Sequence, residues 1–241
     1  MGLLGSQRQT IDSWIQTIQP KKRSNSMKHM LLVAVILTFC VGISAQTVFG
    51  VRAGLNFANW AGEYIEDNSA KTCFHLGGMM QYPLSPILIL QPELLYTGKG
   101  VKISDDGYDE DQFGGEWEFS YKANLSYLEV PVLIKYNANL QGFKLQPYLG
   151  PSLALLVGAK EKYSYESDED GDYDYTNDFK DEMNSLELGL NLGVDAILRE
   201  NIMVGLRYNY GLSNIFEDAD DDDEYVYNRG FMLNLGYLFG R

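Results

Sequence analysis

The sequence predicts an all-β protein that folds as an eight-stranded antiparallel up-and-down transmembrane β-barrel. Three observations support this prediction. Apolar and polar residues alternate along several segments, short and long connections follow each other in turn, and most carboxylates fall on the long connections. A closed barrel is a suitable structure for lipid because it leaves no backbone N–H or C=O group unpaired.

The N-terminal part of the chain resembles a targeting segment. Basic residues precede an apolar run from Met30 to Val41, and mostly small or polar residues follow as far as Ala45. This order is typical of a secretory signal peptide. The run is shorter than the roughly 20 residues that a membrane-spanning helix needs. We therefore predict an N-terminal extension and signal peptide over residues 1–45 and an outer-membrane β-barrel domain over residues 46–241.

Only one cysteine, Cys73, lies outside the predicted signal peptide. A single cysteine can form neither an intramolecular disulfide nor a cysteine-based metal site. The stability of the mature chain must therefore come from strand pairing and packing.

Period-two alternation is clearest between Leu186 and Leu198, where every second residue is apolar. Because successive side chains point to opposite faces of a strand, such a strand has one oily and one polar face. Eight strands are predicted, over residues 48–59, 73–82, 87–99, 125–136, 143–159, 186–198, 202–212 and 231–239. Pro147 and Pro151 each remove a ladder donor from the fifth strand, which makes it the least secure of the eight unless local bulges accommodate the prolines.

The connections fall into two classes that alternate along the chain. Short turns are predicted at residues 83–86, 137–142 and 199–201, and long loops at 61–72, 100–122, 160–184 and 213–227. Outer-membrane barrels have short periplasmic turns and long extracellular loops, and an even number of strands places both ends of the barrel on the periplasmic side.

The distribution of charge agrees with this topology. Without residues 1–45 the chain keeps 32 of its 33 acidic residues and 14 of its 19 basic ones, a formal net charge of −18. The four predicted long loops contain 27 of the 32 carboxylates. The topology therefore places a strongly acidic surface at one end of the barrel.

A soluble barrel of the lipocalin type is the alternative, with the apolar faces turned inward. Alternation alone does not separate the two folds. The membrane barrel is favoured because glycine and asparagine dominate the polar faces, because aromatic residues gather near strand ends, and because the last strand carries Tyr237, Leu238 and Phe239.

Three segments carry a family resemblance: Phe49–Asn56, Tyr127–Tyr136 and Pro147–Ser152. With them, residues 46–241 resemble the PorT-like family of outer-membrane β-barrel proteins. The resemblance implies an eight-stranded barrel like the small OmpA and OmpX barrels. It implies little about activity, although the founding member is associated with a protein secretion system. An accessory role in protein export is therefore an alternative function.

The predicted inward faces contain charged residues of both signs. An eight-stranded barrel has room for its own side chains or one small ligand, and isolated buried charges are costly. We therefore predict an ion-pair network in the lumen, with a narrow proton or ion path as the alternative. Its members are Arg52, Glu93, Glu129, Lys135, Glu187, Asp195 and Arg207.

His75 is the only histidine in the mature chain, and no nucleophile or carboxylate partner for it can be recognised. A general base needs a positioned partner within hydrogen-bond reach. We therefore predict no catalytic residue, no enzyme activity and no cofactor.

The acidic loops suggest loose binding of divalent cations, because carboxylates attract hard cations. Neither acidic run has EF-hand spacing, so a solvated and self-repelling loop is the alternative. The candidate ligands are Asp168, Asp170, Asp172, Asp220 and Asp222. Cations held there would bridge the loops to lipopolysaccharide.

The predicted function is a non-enzymatic outer-membrane protein whose barrel displays acidic loops for partner docking, adhesion or envelope integrity. The expected partners are outer-membrane lipid, lipopolysaccharide and other envelope proteins. Nucleic acid is not expected, since its phosphates would be repelled by the acidic loops. A monomer is expected.

Overall fold

The computed structural model describes residues 47–62, 69–109, 115–140, 142–167, 173–199, 201–217 and 225–239. The predicted signal peptide lies outside this part of the chain. These described ranges contain ten strands and one short 3-10 helix. They are β1 (Val48–Ala61), β2 (Lys71–Pro83), β3 (Leu88–Asp109), β4 (Gly115–Tyr136), β5 (Ala138–Leu140), β6 (Phe143–Ser167), β7 (Tyr173–Asp178), the helix Lys180–Glu182, β8 (Leu186–Leu198), β9 (Ile202–Gly211) and β10 (Tyr227–Phe239).

Eight of these strands form a closed ring. The order of pairing is β4-β3-β2-β1-β10-β9-β8-β6, and β6 pairs back to β4. Every pairing is antiparallel, and the first and last strands meet with Phe49 opposite Phe239 and Ala61 opposite Tyr227. The predicted eight-stranded barrel is confirmed. Strands β5 and β7 are additional and, within the described part of the chain, pair only with β6.

The outer wall of the barrel is oily. Leu206 is 57% exposed and Phe231 is 66% exposed, whereas Arg52 is 1% exposed and Arg207 is 2% exposed. Charged side chains inside and exposed leucines outside are the arrangement of a barrel in lipid. The alternative of a soluble barrel with an oily interior is therefore wrong. Among the described residues, no helix is long and apolar enough to cross a bilayer.

Three strands, β3, β4 and β6, extend well beyond their predicted ranges. Strands β3 and β4 continue as a hairpin through Asp109 and Gly115, and β6 runs on to Ser167, where β7 pairs with it. The predictions of long loops at 100–122 and 160–184 are therefore wrong for much of their length. The predicted turn at 137–142 likewise contains β5.

The prolines of β6 have a smaller effect than predicted. Pairing with β8 runs without interruption past Pro147 and Pro151, while pairing with β4 is interrupted between Ser152 and Leu149. The register shift of β6 lies near Val157, opposite Ser126 and Tyr127. Beyond this point odd-numbered residues of β6 turn inward, as the full burial of Ala159 shows.

Candidate functional site

A cluster of five charged side chains fills the middle of the lumen. Arg207 binds both carboxylate oxygens of Glu93, at 2.9 and 2.8 Å, and Arg52 binds Glu93 at 2.8 Å. Arg52 also binds Asp195 at 2.6 Å, and Lys135 binds the same carboxylate. These contacts join β1, β3, β4, β8 and β9 across the interior.

A second charged cluster lies nearer the long-loop end. Lys99 binds Glu187 at 2.7 Å and lies 3.9 Å from Glu129. Asn209 donates to Glu129 at 3.3 Å, and Asn228 donates to Glu187 at 2.7 Å. Lys99 was missing from the predicted lumen set because it ends the apolar part of its strand. Lys99 lies an even number of residues from Glu93 and Thr97, which also face the lumen. This spacing could have identified it as an inward residue.

The buried charges balance. Among the described residues, eight charged side chains are buried, four cations and four carboxylates. The first cluster has three cations and two carboxylates, and the second has one cation and two carboxylates. Unpaired buried charge is costly, and the interior as a whole has none in excess. All seven residues proposed for the lumen network belong to these two clusters.

Amide side chains extend the network toward the short-turn end. Gln91 donates to Glu93 at 2.5 Å, and Gln81 donates to Gln91 at 2.8 Å and to Gln146 at 3.3 Å. The amide of Gln146 donates in turn to Asn137 at 3.1 Å. Neutral donors and acceptors therefore fill part of the lumen below the charges.

Apolar side chains close the lumen at both ends. At the long-loop end, inward residues of the wall pack with loop residues that fold over the opening. This cluster consists of Trp60, Val101, Ala123, Leu125, Tyr127, Ala154, Leu156, Ala159, Phe179, Met183, Ile215 and Val226. At the short-turn end, a smaller cluster contains Met79, Ile197, Met203 and Leu238.

The loops are held in the long-loop cluster by specific contacts. Met183 and Phe216 form an isolated antiparallel bridge, and the ring of Phe216 packs edge-on against Trp60 with centroids 5.7 Å apart. Asn184 donates from its side chain to the carbonyls of Asn214 and Phe216. The loop around residues 183–184 and the loop around residues 214–216 are therefore hydrogen-bonded to each other above the long-loop cluster.

His75 faces the lumen and is 1% exposed. Neither of its ring nitrogens has a hydrogen-bond partner among the described residues. It lies on β2 opposite Gly54 and Thr97. A residue so enclosed is out of reach of a substrate at the surface.

The five aspartates proposed for cation binding lie outside the described residues. Within the described part of the chain, no group of three or more His, Cys, Asp or Glu side chains is arranged to hold a metal ion. One loop carboxylate that is described, Asp174, accepts hydrogen bonds from Ser164 at 2.5 Å and Lys162 at 3.0 Å. These two donors hold the pKa of Asp174 below its ordinary value.

The closed ring, the oily wall and the charged interior agree with one family model. Residues 44–217, well over half of the chain, match the model described as "Outer membrane protein beta-barrel domain". The chain belongs to this family. Membership of the family indicates the outer membrane as the location, whereas the PorT-like resemblance is a finer assignment and stays a prediction. No curated protein matches the chain.

Several solved structures of outer-membrane proteins are similar to the chain. Ail, the attachment invasion locus protein of Yersinia pestis, has 14% identity and a TM-score of 0.41 and covers 80% of this chain and 98% of its own. Neisserial surface protein A has 17% identity, a TM-score of 0.38, and coverages of 78% and 96%. A major outer membrane protein of Thermus thermophilus has 18% identity, a TM-score of 0.40, and coverages of 80% and 100%. The likeness is distant, and no property of these proteins is transferred to this chain.

Proposed function

We propose that the protein is a non-enzymatic and non-conducting outer-membrane barrel whose rigid wall displays acidic loops for partner docking, adhesion or envelope integrity. The observation that carries the proposal is the filled lumen. Apolar clusters lie at both ends of a charge-balanced network, and the charged side chains of that network are almost fully buried among the described residues. The network then has a structural role, joining strands that are distant in sequence.

The long-loop end offers a suitable docking surface. Strands β3, β4, β6 and β7 continue there as a sheet, and among the described residues β7 pairs only with β6. An open strand edge can accept an extended segment of a partner through backbone hydrogen bonds. The acidic side chains nearby, among them exposed Asp178 and Asp181, favour a basic partner.

Conductance tests the first half of the proposal. The purified barrel, inserted in a planar bilayer, is expected to show no stable open-channel current. A Trp60→Ala/Phe179→Ala variant, which removes two large side chains of the long-loop cluster, provides the comparison. Steady porin-like conductance from the wild-type protein would refute the closed lumen.

Display of the loops is tested on cells. A strain that lacks the protein is complemented with the wild type or with a variant whose residues Asp220–Asp223 are changed to Asn. Adhesion to a polycationic surface and sensitivity to detergent are then compared. Equal values for the two complemented strains and for the deletion strain would contradict the proposed role. Co-purification with other envelope subunits would assign the docking to an export apparatus.

We also propose that residues 1–45 are removed on export. The apolar run and the small residues before Gln46 support this proposal. N-terminal sequencing of the membrane-inserted protein is expected to begin at Gln46. A start upstream of Met30 would contradict it.

A further inference from the structure

Three lysines stand side by side on the outside of the barrel near its long-loop end. Lys102 on β3 is paired with Lys122 on β4, which is paired with Lys162 on β6. Their neighbours in the chain, Val101 and Ala123, are fully buried in the lumen. Because side chains alternate along a strand, the three lysines belong to the outward face. We call Lys102, Lys122 and Lys162 the lysine row.

The lysine row repels itself. Adjacent strands are about 4.8 Å apart, and like charges directly opposite each other destabilise a sheet. Within the described part of the chain, Lys162 alone of the three has a carboxylate partner, Asp174 at 3.0 Å, and both of these side chains are largely exposed. An exposed pair of this kind contributes little. Lys102 and Lys122 therefore have no ion pair among the described residues, and one exposed carboxylate, Asp174, lies beside the row.

Further positive charge lies beside the lysine row. Exposed Lys160 is paired with Asn124 on the same outward face. This pair lies two residues nearer to the short-turn end than the pair of Lys122 and Lys162. The ammonium of Lys71 donates to the carbonyl of Ala123 at 2.8 Å and to the side chain of Asn124. In a mature chain with a net charge of −18, five of the 14 basic residues gather on this one surface. Such a concentration favours an anionic ligand.

The surface that carries the lysine row lies next to the lipid-facing belt of the barrel, on its long-loop side. On the same strands the outward residues are apolar up to Tyr96 and Val157, both exposed, and the Tyr96 hydroxyl donates to Ser126 at 2.8 Å. Tyrosines at this position are typical of the girdle that marks the edge of the hydrocarbon layer. Lys160 lies three residues beyond Val157, roughly 10 Å along the strand. Lysine stems bend toward such a boundary and hold their charge in the headgroup layer.

We propose that the lysine row, with Lys160, binds the phosphate groups of the glycolipid in the outer leaflet. Its headgroup phosphates lie directly above the acyl chains, at the height that these ammonium groups reach. The lysine surface contacts this anionic layer directly, without a bridging cation. Two steps farther out, Asp106, Glu118 and Glu166 occupy paired positions on the same strands. This order places lysines toward the leaflet and an acidic register beyond it.

The test measures retention of glycolipid by the full-length mature barrel. Folded protein in detergent is mixed with phosphorylated or enzymatically dephosphorylated lipid A, always with a chelator, and bound lipid is counted by native mass spectrometry. Lys122→Gln/Lys162→Gln is compared with Lys144→Gln/Arg199→Gln, which removes the same charge near the short turns. A heat-dependent gel shift confirms that each variant is folded.

The wild type and the short-turn variant are expected to retain phosphorylated lipid A. The Lys122→Gln/Lys162→Gln variant is expected to bind it about thirtyfold more weakly, since each lysine at an anionic surface contributes about fivefold. Equal retention by both double variants, or equal binding of dephosphorylated lipid A by the wild type, would overturn the proposal. The chelator separates it from cation bridging by the acidic loops, which predicts loss of binding for all proteins when divalent ions are removed.

Discussion

Arg207 binds both carboxylate oxygens of Glu93 inside the closed barrel, at 2.9 and 2.8 Å. Both side chains are fully enclosed by the wall. Both contacts are made by Nη2 of Arg207, and hydrogen bonds between ionised groups are among the stronger ones in proteins. Glu93 is also bound by Arg52 and Gln91, so one carboxylate joins three neighbours.

Glu93→Gln is expected to lower the free energy of unfolding by about 3–5 kcal/mol, because it leaves the buried guanidinium of Arg207 without its counter-charge and removes one of the two carboxylates that pair with Arg52. Urea unfolding of the barrel in detergent micelles measures the change. Asp174→Asn, which breaks an exposed ion pair, is the control and is expected to leave the free energy of unfolding almost unchanged. Equal costs would mean that the lumen is solvated like the surface.

Lys99 and Glu187 are expected to be energetically coupled. A double-mutant cycle with Lys99→Met and Glu187→Gln should give an interaction free energy of about 0.5–3 kcal/mol, because the two groups are in contact at 2.7 Å. The same cycle between Lys99 and Lys144, which lies near the short turns, serves as the reference for independent sites. Coupling of zero in the first cycle would contradict the ion pair.

The oily wall predicts a depth-dependent cost of charge. Leu206→Lys, in the middle of β9, is expected to lower the free energy of unfolding in lipid vesicles by about 2–4 kcal/mol, because it places an ammonium group near the bilayer midplane. Leu212→Lys, just past the end of the same strand and also exposed, should cost about 0–1 kcal/mol. A reversed order of the two costs would contradict the assigned position of the bilayer.

Two adjacent glycines of β2 are expected to respond differently to the same change. A Cβ added at Gly77 would lie 2.0 Å from the carbonyl oxygen of Leu94, whereas one added at Gly78 has nothing nearer than the carbonyl of Gly50 at 3.9 Å. Gly77→Ala should therefore destabilise the barrel by forcing β2 and β3 apart. Gly78→Ala should be neutral or stabilise it by about 0.4–1 kcal/mol. Thermal gel-shift curves of the two variants measure the difference, and matching curves would argue against close strand contact at Gly77.

The alternation of apolar and polar residues predicted the bounds of some strands to within one residue. The predicted strand over residues 186–198 is β8, and the strand predicted over 202–212 differs from β9 by one residue. Lipid on one side and a polar lumen on the other impose this pattern, so it is strongest where the strand is inside the bilayer. Beyond the bilayer the lipid no longer imposes the pattern, but the extension of β4 still alternates. Trp117, Phe119, Tyr121 and Ala123 are separated by Glu118, Ser120 and Lys122. The extension could therefore have been predicted from the same period, and the prediction of a long loop at 100–122 overlooked it.

The partners of the lumen charges were less predictable than their location. The alternation of apolar and polar residues was enough to predict that Arg52, Asp195 and Lys135 face the lumen. Which carboxylate meets which cation depends on the stagger of the strands around the ring, because Arg52 and Asp195 are 143 residues apart and on opposite halves of the chain. A single strand carries no information on that stagger.

The contacts of Arg52 impose an order on biogenesis. Its two carboxylate partners come from β3 and β8, so the early and late halves of the chain must both be in place before this guanidinium is neutralised. A partly assembled ribbon in the bilayer would expose bare ionic groups to hydrocarbon. The ionic groups of the lumen are shielded from hydrocarbon on all sides only when β10 has paired with β1 and the ring is closed.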